Sequence, residues 1–184
     1  HLRNGVMEQE LWAQMWSALI EGGGEWLDYR LLASGERTNP WQQEASSRMI
    51  RAGDLVVFDC GMVGPFSYGA DISRAYHCGP GKPSDYQKTL YTIAHTEVME
   101  NTKLVKAGAS FSDIARARYI PPKGFGDQLY PVLMHGLGMA DEWPAIYHGE
   151  DHPQFFDGEL EAGMVICVES YIGEVGGVEG VKLE

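Results

Sequence analysis

Residues 55–77 read LVVFDCGMVGPFSYGADISRAYH, two strand-like segments on either side of a glycine-containing connection. Leu55–Cys60 has the apolar composition of a buried strand, and Tyr68–Cys78 reads as its partner. The first segment carries Asp59 and the second carries Asp71, so the pattern predicts two carboxylates on facing strands. A buried carboxylate is expensive without a partner, and something must therefore compensate this pair.

Three further candidate ligands follow later in the chain. His135 stands in the glycine-containing stretch Met134–Met139, while Glu169 and Glu184 each end an apolar segment. Crowding four carboxylates without a counter-charge would cost about 4 kcal/mol per close pair at an effective dielectric near 20. The set therefore predicts bound cations or proton uptake. Oxygen-rich ligands with one imidazole suit metals such as Mn, Fe, Co or Zn.

Each of these residues, taken alone, also has a purely structural interpretation. Asp59 or Asp71 could end a turn or form an ion pair with Arg74. His135 could be a packed core histidine, and Glu184 could be a solvated strand residue. The joint pattern of five residues is what favours a metal site.

The flanking segments predict an α+β fold, with helices on one face of a mostly antiparallel sheet. Residues 8–20 have the apolar stripe of an amphipathic helix. Ser84 and Gln87 form a capping box that opens a long helix to about Lys106, and Ser110 begins a shorter one. Extended segments are expected at residues 26–33, 130–137, 164–172 and 178–184, and a loop at 34–47.

The composition predicts one globular domain, because 184 residues with 44% hydrophobic content are enough for one sizeable core. The net charge of -12 argues against a nucleic-acid partner, which usually meets a basic face. Three cysteines without a CxxC pair fit a reducing compartment, and no apolar run is long enough for a membrane span. Since the chain opens on His1 and stops at Glu184 within a strand-like segment, we expect a partial catalytic segment.

The five candidate ligands occur in an order that resembles the pita-bread metalloenzymes, the family of methionine aminopeptidase, prolidase, aminopeptidase P and creatinase. Shorter motifs agree, notably Asp59–Gly61, His135–Gly138 and Glu179–Gly180. The resemblance covers nearly the whole chain, from Glu8 onward. It implies a pita-bread fold, an antiparallel sheet covered by helices, with residues 1–184 as a single catalytic domain. It also implies two divalent metal ions as cofactors, held by the five residues.

The chain departs from the peptidases of this family at two positions. Those enzymes use histidines besides the ligand to bind substrate and to shuttle protons. One such histidine falls seven residues after the ligand, where this chain has Glu142, and another falls near Gln42. Peptide hydrolysis needs an acid to protonate the leaving nitrogen, so both losses argue against proteolysis.

Asp141 and Tyr130 lie six residues after and five residues before His135. With the loop Thr38–Trp41, this spacing resembles the dimethylsulfoniopropionate lyase branch of the family. The resemblance implies β-elimination of dimethylsulfoniopropionate to dimethyl sulfide and acrylate, with Asp141 as the base and Tyr130 lining the substrate pocket. Tyr130 and Trp143 are candidates for cation–π contact with the substrate's sulfonium.

The resemblance further implies iron as the first choice of metal, with zinc or manganese allowed. The cysteine content favours a cytoplasmic enzyme. The expected partners are a small sulfonium carboxylate and, in the full-length protein, a second copy in a homodimer, with neither nucleic acid nor membrane. Two alternatives stay open: a metallo-aminopeptidase or prolidase-like hydrolase, and a catalytically inactive binding module on the same fold. Asp141 could instead end a strand, and Tyr130 could be core packing.

Overall fold

The protein is described here by a computed structural model that covers residues 1–184 with three α-helices and nine short β-strands. The helices are α1 (Glu8–Glu21), α2 (Asp85–Thr102) and α3 (Phe111–Ala117). The strands are β1 (Trp26–Leu27), β2 (Leu31–Ser34), β3 (Leu55–Val63), β4 (Gly69–His77), β5 (Met134–Leu137), β6 (Ala145–Ile146), β7 (Val165–Val168), β8 (Ser170–Gly173) and β9 (Gly180–Leu183). None of the helices has the length and apolar character needed to cross a membrane.

Strand β3 is the centre of a four-stranded antiparallel sheet, with β4 on one side and both β1 and β2 on the other. Successive residues of a strand point to opposite faces. Leu55 and Val57 pack into a core shared with α2, β8 and β9, whereas Val56 and Cys60 pack into a second core with α1. Asp59 therefore lies on the face that is covered by α2, β8 and β9.

The second half of the chain forms two smaller antiparallel sheets. Strand β5 pairs with β6 and β7, and β8 pairs with β9. Helix α3 supports the first of these sheets, because its Phe111 and Ile114 share a core with Leu133 and Met134. Two groups of antiparallel strands with helices outside them confirm the predicted α+β pita-bread fold. The helices do not share one face as predicted, however, because α1 and α2 cover opposite faces of the β3 sheet.

The predicted helices are confirmed, with one corrected boundary. Helix α1 spans the predicted segment, and the capping box of Ser84 and Gln87 forms both of its hydrogen bonds at the start of α2. Helix α2 ends at Thr102, however, and not at about Lys106. The N–H groups of residues 103–105 bond carbonyls three residues earlier, so the chain there forms tight turns that do not continue the helix.

The predicted strands are present but shorter than expected. The segment 130–137 becomes a strand only at Met134, and the segment 164–172 splits into β7 and β8 at Glu169. The backbone N–H of Glu169 still bonds the Leu133 carbonyl, whereas Ser170 already pairs with Leu183 of β9. Glu169 is therefore the residue at which the chain leaves one sheet for another.

Candidate metal centre

Asp59 and Asp71 lie on one face of the β3–β4 pair, as the sequence predicts. Asp59 pairs with Ser73 and Asp71 pairs with Gly61, so the two carboxylates are diagonal neighbours across the ladder. Both side chains are buried on the side that faces β8 and β9. The facing strands thus supply two carboxylates to the interior of the molecule.

The other three candidate ligands approach the same place from the second half of the chain. His135 lies in β5, Glu169 lies between β7 and β8, and Glu184 directly follows β9. One ligand atom from each of these three and from Asp71 lies within 4.8 Å of all the others. The Nε2 atom of His135 is 3.3 Å from Glu169 Oε1 and 3.7 Å from Asp71 Oδ2.

Asp59 is connected to these four ligands through Lys182, a residue that the sequence analysis does not predict. The Lys182 ammonium is fully buried, forms an ion pair with Glu169, and lies 3.3 Å from Asp59 Oδ2. It also donates to the Ser73 hydroxyl at 2.7 Å. Lys182 and Glu184 are two residues apart in and after β9, so they point to the same face. The position of Lys182 two residues before a candidate ligand was the sequence feature that could have identified it.

The cluster holds more negative charge than Lys182 can balance. Burial and the neighbouring Glu184 raise the pKa of Asp71 to about 9. Burial and Glu169 raise the pKa of Glu184 to about 7. Burial opposes a charged His135 ring, yet its hydrogen bond with Glu169 and the nearby carboxylates raise its pKa to about 10. The protein without added cations therefore holds extra protons at neutral pH.

The cluster also leaves buried oxygen atoms without hydrogen bonds. Three such atoms are Asp59 Oδ1, Asp71 Oδ1 and Glu184 Oε1, one from each of three candidate ligands. Buried polar atoms normally have partners, and each exception needs an explanation. Unpaired carboxylate oxygens beside an imidazole are the donor set that binds divalent cations. The residues present therefore fit divalent cations, of which the family resemblance implies two.

Asp141 lies at the edge of this cluster, in the turn after β5. Its Oδ1 atom is 3.7 Å from His135 Nδ1, and 21% of its side chain is exposed. Its other oxygen, Oδ2, accepts a 2.6 Å hydrogen bond from the Tyr29 hydroxyl. The sequence does not predict a role for Tyr29, because no local pattern links it to a residue 112 positions later.

Tyr130 also borders the cluster. The Lys182 ammonium lies 4.3 Å from the centroid of its ring, and burial raises the pKa of its hydroxyl. With Trp41 and Tyr171, Tyr130 lines a cavity of about 170 Å³. The partly buried His148 contacts the Tyr130 carbonyl through Nε2 at 2.8 Å. His148 thereby fixes the backbone that carries Tyr130.

Trp143 lies farther toward the surface. Its ring stacks on Phe156 with the centroids 4.8 Å apart, and 62% of the residue is exposed. The backbone of Trp143 contributes more closely to the site, because its carbonyl lies against Gly136, next to His135. A role for Trp143 in substrate binding stays a prediction.

Two groups of antiparallel strands with a buried carboxylate and histidine cluster between them define the class of pita-bread, dinuclear metal-dependent enzymes. The chain belongs to metallopeptidase family M24, whose family model matches residues 1–184.

Two groups of relatives are similar over nearly the whole chain. The dimethylsulfoniopropionate lyase DddP of Roseovarius nubinhibens is 38% identical over 99% of this chain and 41% of that protein. The Xaa-Pro dipeptidase of Pyrococcus furiosus is 32% identical over 96% of this chain and 50% of that protein. The chain thus spans about half or less of the length of these relatives.

Solved structures agree with the fold. The prolidase from Pyrococcus furiosus matches with a TM-score of 0.84 at 28% identity, over 100% of this chain and 52% of that one. The Xaa-Pro dipeptidase from Bacillus anthracis matches with a TM-score of 0.85 at 28% identity, over 99% of this chain and 50% of that one.

Proposed function

We propose that the protein cleaves dimethylsulfoniopropionate by β-elimination, with Asp141 as the base. The observation that carries this proposal is the position of Asp141, whose Oδ1 lies 3.7 Å from His135 Nδ1 at the open edge of the cluster. A carboxylate placed there can reach a substrate that is held beside the metal site. The 38% identity to a dimethylsulfoniopropionate lyase supports the same substrate.

The reaction needs one base and no acid. Asp141 takes the proton from the carbon next to the substrate carboxylate, the C–H electrons form the C=C bond, and the C–S bond breaks. Dimethyl sulfide leaves as a neutral molecule and acrylate remains, so the leaving group needs no proton. Asp141 then returns its proton to solvent, to which its side chain is partly exposed.

The metal ions would be held by Asp59, Asp71, His135, Glu169 and Glu184. When bound, they supply Lewis-acid stabilisation of the charge that develops on the substrate carboxylate. Lys182, which lies among these groups, holds Asp59 and Glu169 in place. By resemblance to the lyase branch, we propose iron as the metal, with zinc or manganese allowed.

Tyr130 is the proposed contact for the substrate cation. Lys182 already lies against its ring, so the substrate would contact a part of the ring that faces the 170 Å³ cavity. An aromatic face attracts a sulfonium as it attracts an ammonium. We further propose a cytoplasmic location, from the three free cysteines, and a homodimer for the full-length protein, from the resemblance.

The direct test is headspace detection of dimethyl sulfide after dimethylsulfoniopropionate is added to the full-length protein. We expect release by the wild type and a loss of about 100- to 10,000-fold in Asp141→Ala, the range of a lost general base. Asp151→Asn, a change at an exposed acidic residue, is the matched control and should leave the rate unchanged. Equal release by wild type and Asp141→Ala would show that the base is another group.

The second candidate is a prolidase-like hydrolase, which the similarity to the Pyrococcus furiosus Xaa-Pro dipeptidase favours. Glu142 occupies the position of one proton-shuttling histidine, and its pKa is raised by burial. A protonated Glu142 could serve as an acid in such a reaction. Cleavage of an X-Pro dipeptide without release of dimethyl sulfide would establish this candidate.

The third candidate is a binding module that has lost catalysis. The intact cluster argues against it, since four candidate ligands lie within 4.8 Å of one another. Elemental analysis of the purified full-length protein provides the test. Near-zero metal together with no turnover of either substrate would favour this candidate over both enzymes.

A further inference from the structure

Asp141 is held from one side by a tyrosine from the first third of the chain. The Tyr29 hydroxyl donates to Asp141 Oδ2 at 2.6 Å and lies 3.5 Å from Glu142 Oε1. The other oxygen, Oδ1, accepts from the backbone N–H of Glu142 at 2.9 Å. Both oxygens of the proposed base therefore have one fixed donor each.

Tyr29 can reach Asp141 because Gly61 has no side chain. A Cβ atom at Gly61 would lie 2.9 Å from Tyr29 Cε2 and 3.3 Å from Asp141 Oδ2. Gly61 is also the partner of Asp71 across the β3–β4 ladder. Tyr29 and Asp141 thus pack on the sheet beside a candidate metal ligand, and the Asp28 N–H anchors the adjoining backbone to the Gly61 carbonyl at 2.8 Å.

Asp141 needs such support because it lies in a turn, outside β5 and β6. The next residue, Glu142, adopts a positive φ of 62°, which local sequence preferences do not favour. Without Tyr29, the donor that remains on Asp141 is the N–H of its own chain neighbour. A catalytic group that moves by about 1 Å can lose about 100-fold in rate.

We propose that Tyr29 is a positioning residue for the base of the elimination reaction. Its hydroxyl occupies one side of Asp141 Oδ2 and fixes the plane of the carboxylate relative to the substrate proton. Tyr29 does not transfer a proton itself; it acts through Asp141. This inference rests on the proposed function and adds to it the residue that orients the base.

The test is Tyr29→Phe in the full-length protein, which removes only the hydroxyl. We expect kcat for dimethyl sulfide release to fall about 10- to 100-fold while KM stays within about twofold. Tyr76→Phe is the matched control, because the half-exposed Tyr76 stacks on Phe58 on the opposite face of the sheet. It should keep the wild-type kcat.

An unchanged kcat in Tyr29→Phe, or a higher KM at unchanged kcat, would overturn the positioning role. A wild type that releases no dimethyl sulfide would overturn the proposed function instead. The contact is then tested by the unfolding free energies, from urea denaturation, of the wild type, Tyr29→Phe, Asp141→Asn and the double variant. Non-additive changes support the Tyr29–Asp141 contact, and additive changes overturn it.

Discussion

Glu97 is a buried carboxylate on α2 that lies outside the metal cluster. Burial raises its pKa to about 7, even though the Ser170 hydroxyl donates to it at 2.6 Å. A raised pKa means that the folded protein binds a proton that the unfolded chain releases near pH 4.5. The stability contribution is therefore present at low pH and is lost as the pH rises through about 7.

Glu97→Gln should remove this loss, because the amide keeps an acceptor for Ser170 and cannot ionise. We expect the variant to match the wild type near pH 5 and to exceed it at pH 8 by up to about 3 kcal/mol in unfolding free energy. Urea denaturation at the two pH values measures the difference. Glu100→Gln, at an exposed position on the same helix, serves as control, and a pH-independent difference at Glu97 would contradict the argument.

At the residue scale, the sequence revealed residues that end or interrupt apolar segments. Asp59 and Glu169 stand out for that reason, since a charge in a buried strand needs an explanation. Tyr29 gives no such signal, because its importance comes from a contact across the fold. Lys182 is an intermediate case. The sequence predicts the strand that contains it, but that its side chain points into the cluster follows only from its position two residues before the candidate ligand Glu184.

At the element scale, Gly136 is the position where strand β5 tolerates no side chain. A Cβ there would overlap the Trp143 carbonyl, which is backbone and cannot rotate away. Gly136→Ala should therefore displace β5 together with His135. We expect a loss of about 1–3 kcal/mol in unfolding free energy and at least a 10-fold loss in metal affinity.

Urea unfolding and metal titration measure the two effects of Gly136→Ala. The control is Gly81→Ala, since a Cβ at Gly81 meets open space and the backbone there needs no positive φ. Gly81→Ala should resemble the wild type in both measurements. A Gly136→Ala protein with wild-type stability and metal affinity would show that the β5 backbone can shift without moving His135.

Element types were more predictable than element boundaries. Helix α2 begins where its capping box predicts, because the cap is a local interaction of Ser84 and Gln87. Its end, and the division of residues 164–172 at Glu169, depend on partners far away in the sequence. The local sequence of this segment cannot show that its first half pairs with β5 and its second half with β9.

At the scale of the whole molecule, the chain carries a net charge of -12 and concentrates part of it in one buried cluster. Proton uptake by that cluster stabilises the metal-free protein at low pH. Because the pKa values of Glu184 and Asp71 are raised to about 7 and about 9, this stabilisation is lost as the pH rises through those values. Divalent ions would replace the protons and remove the dependence.

We therefore expect a chelator to lower the Tm of the full-length protein more at pH 8.5 than at pH 6. Ions present at about 1,000 times their Kd contribute about 4 kcal/mol to the unfolding free energy. At pH 6 the protonated carboxylates already relieve part of the repulsion, so less stabilisation is left for the ions to provide. Thermal unfolding with chelator and with Fe²⁺, Zn²⁺ or Mn²⁺ at both pH values measures this. A chelator effect equal at both pH values would mean that protons and cations do not compete for the cluster, and that the five residues do not form the metal site.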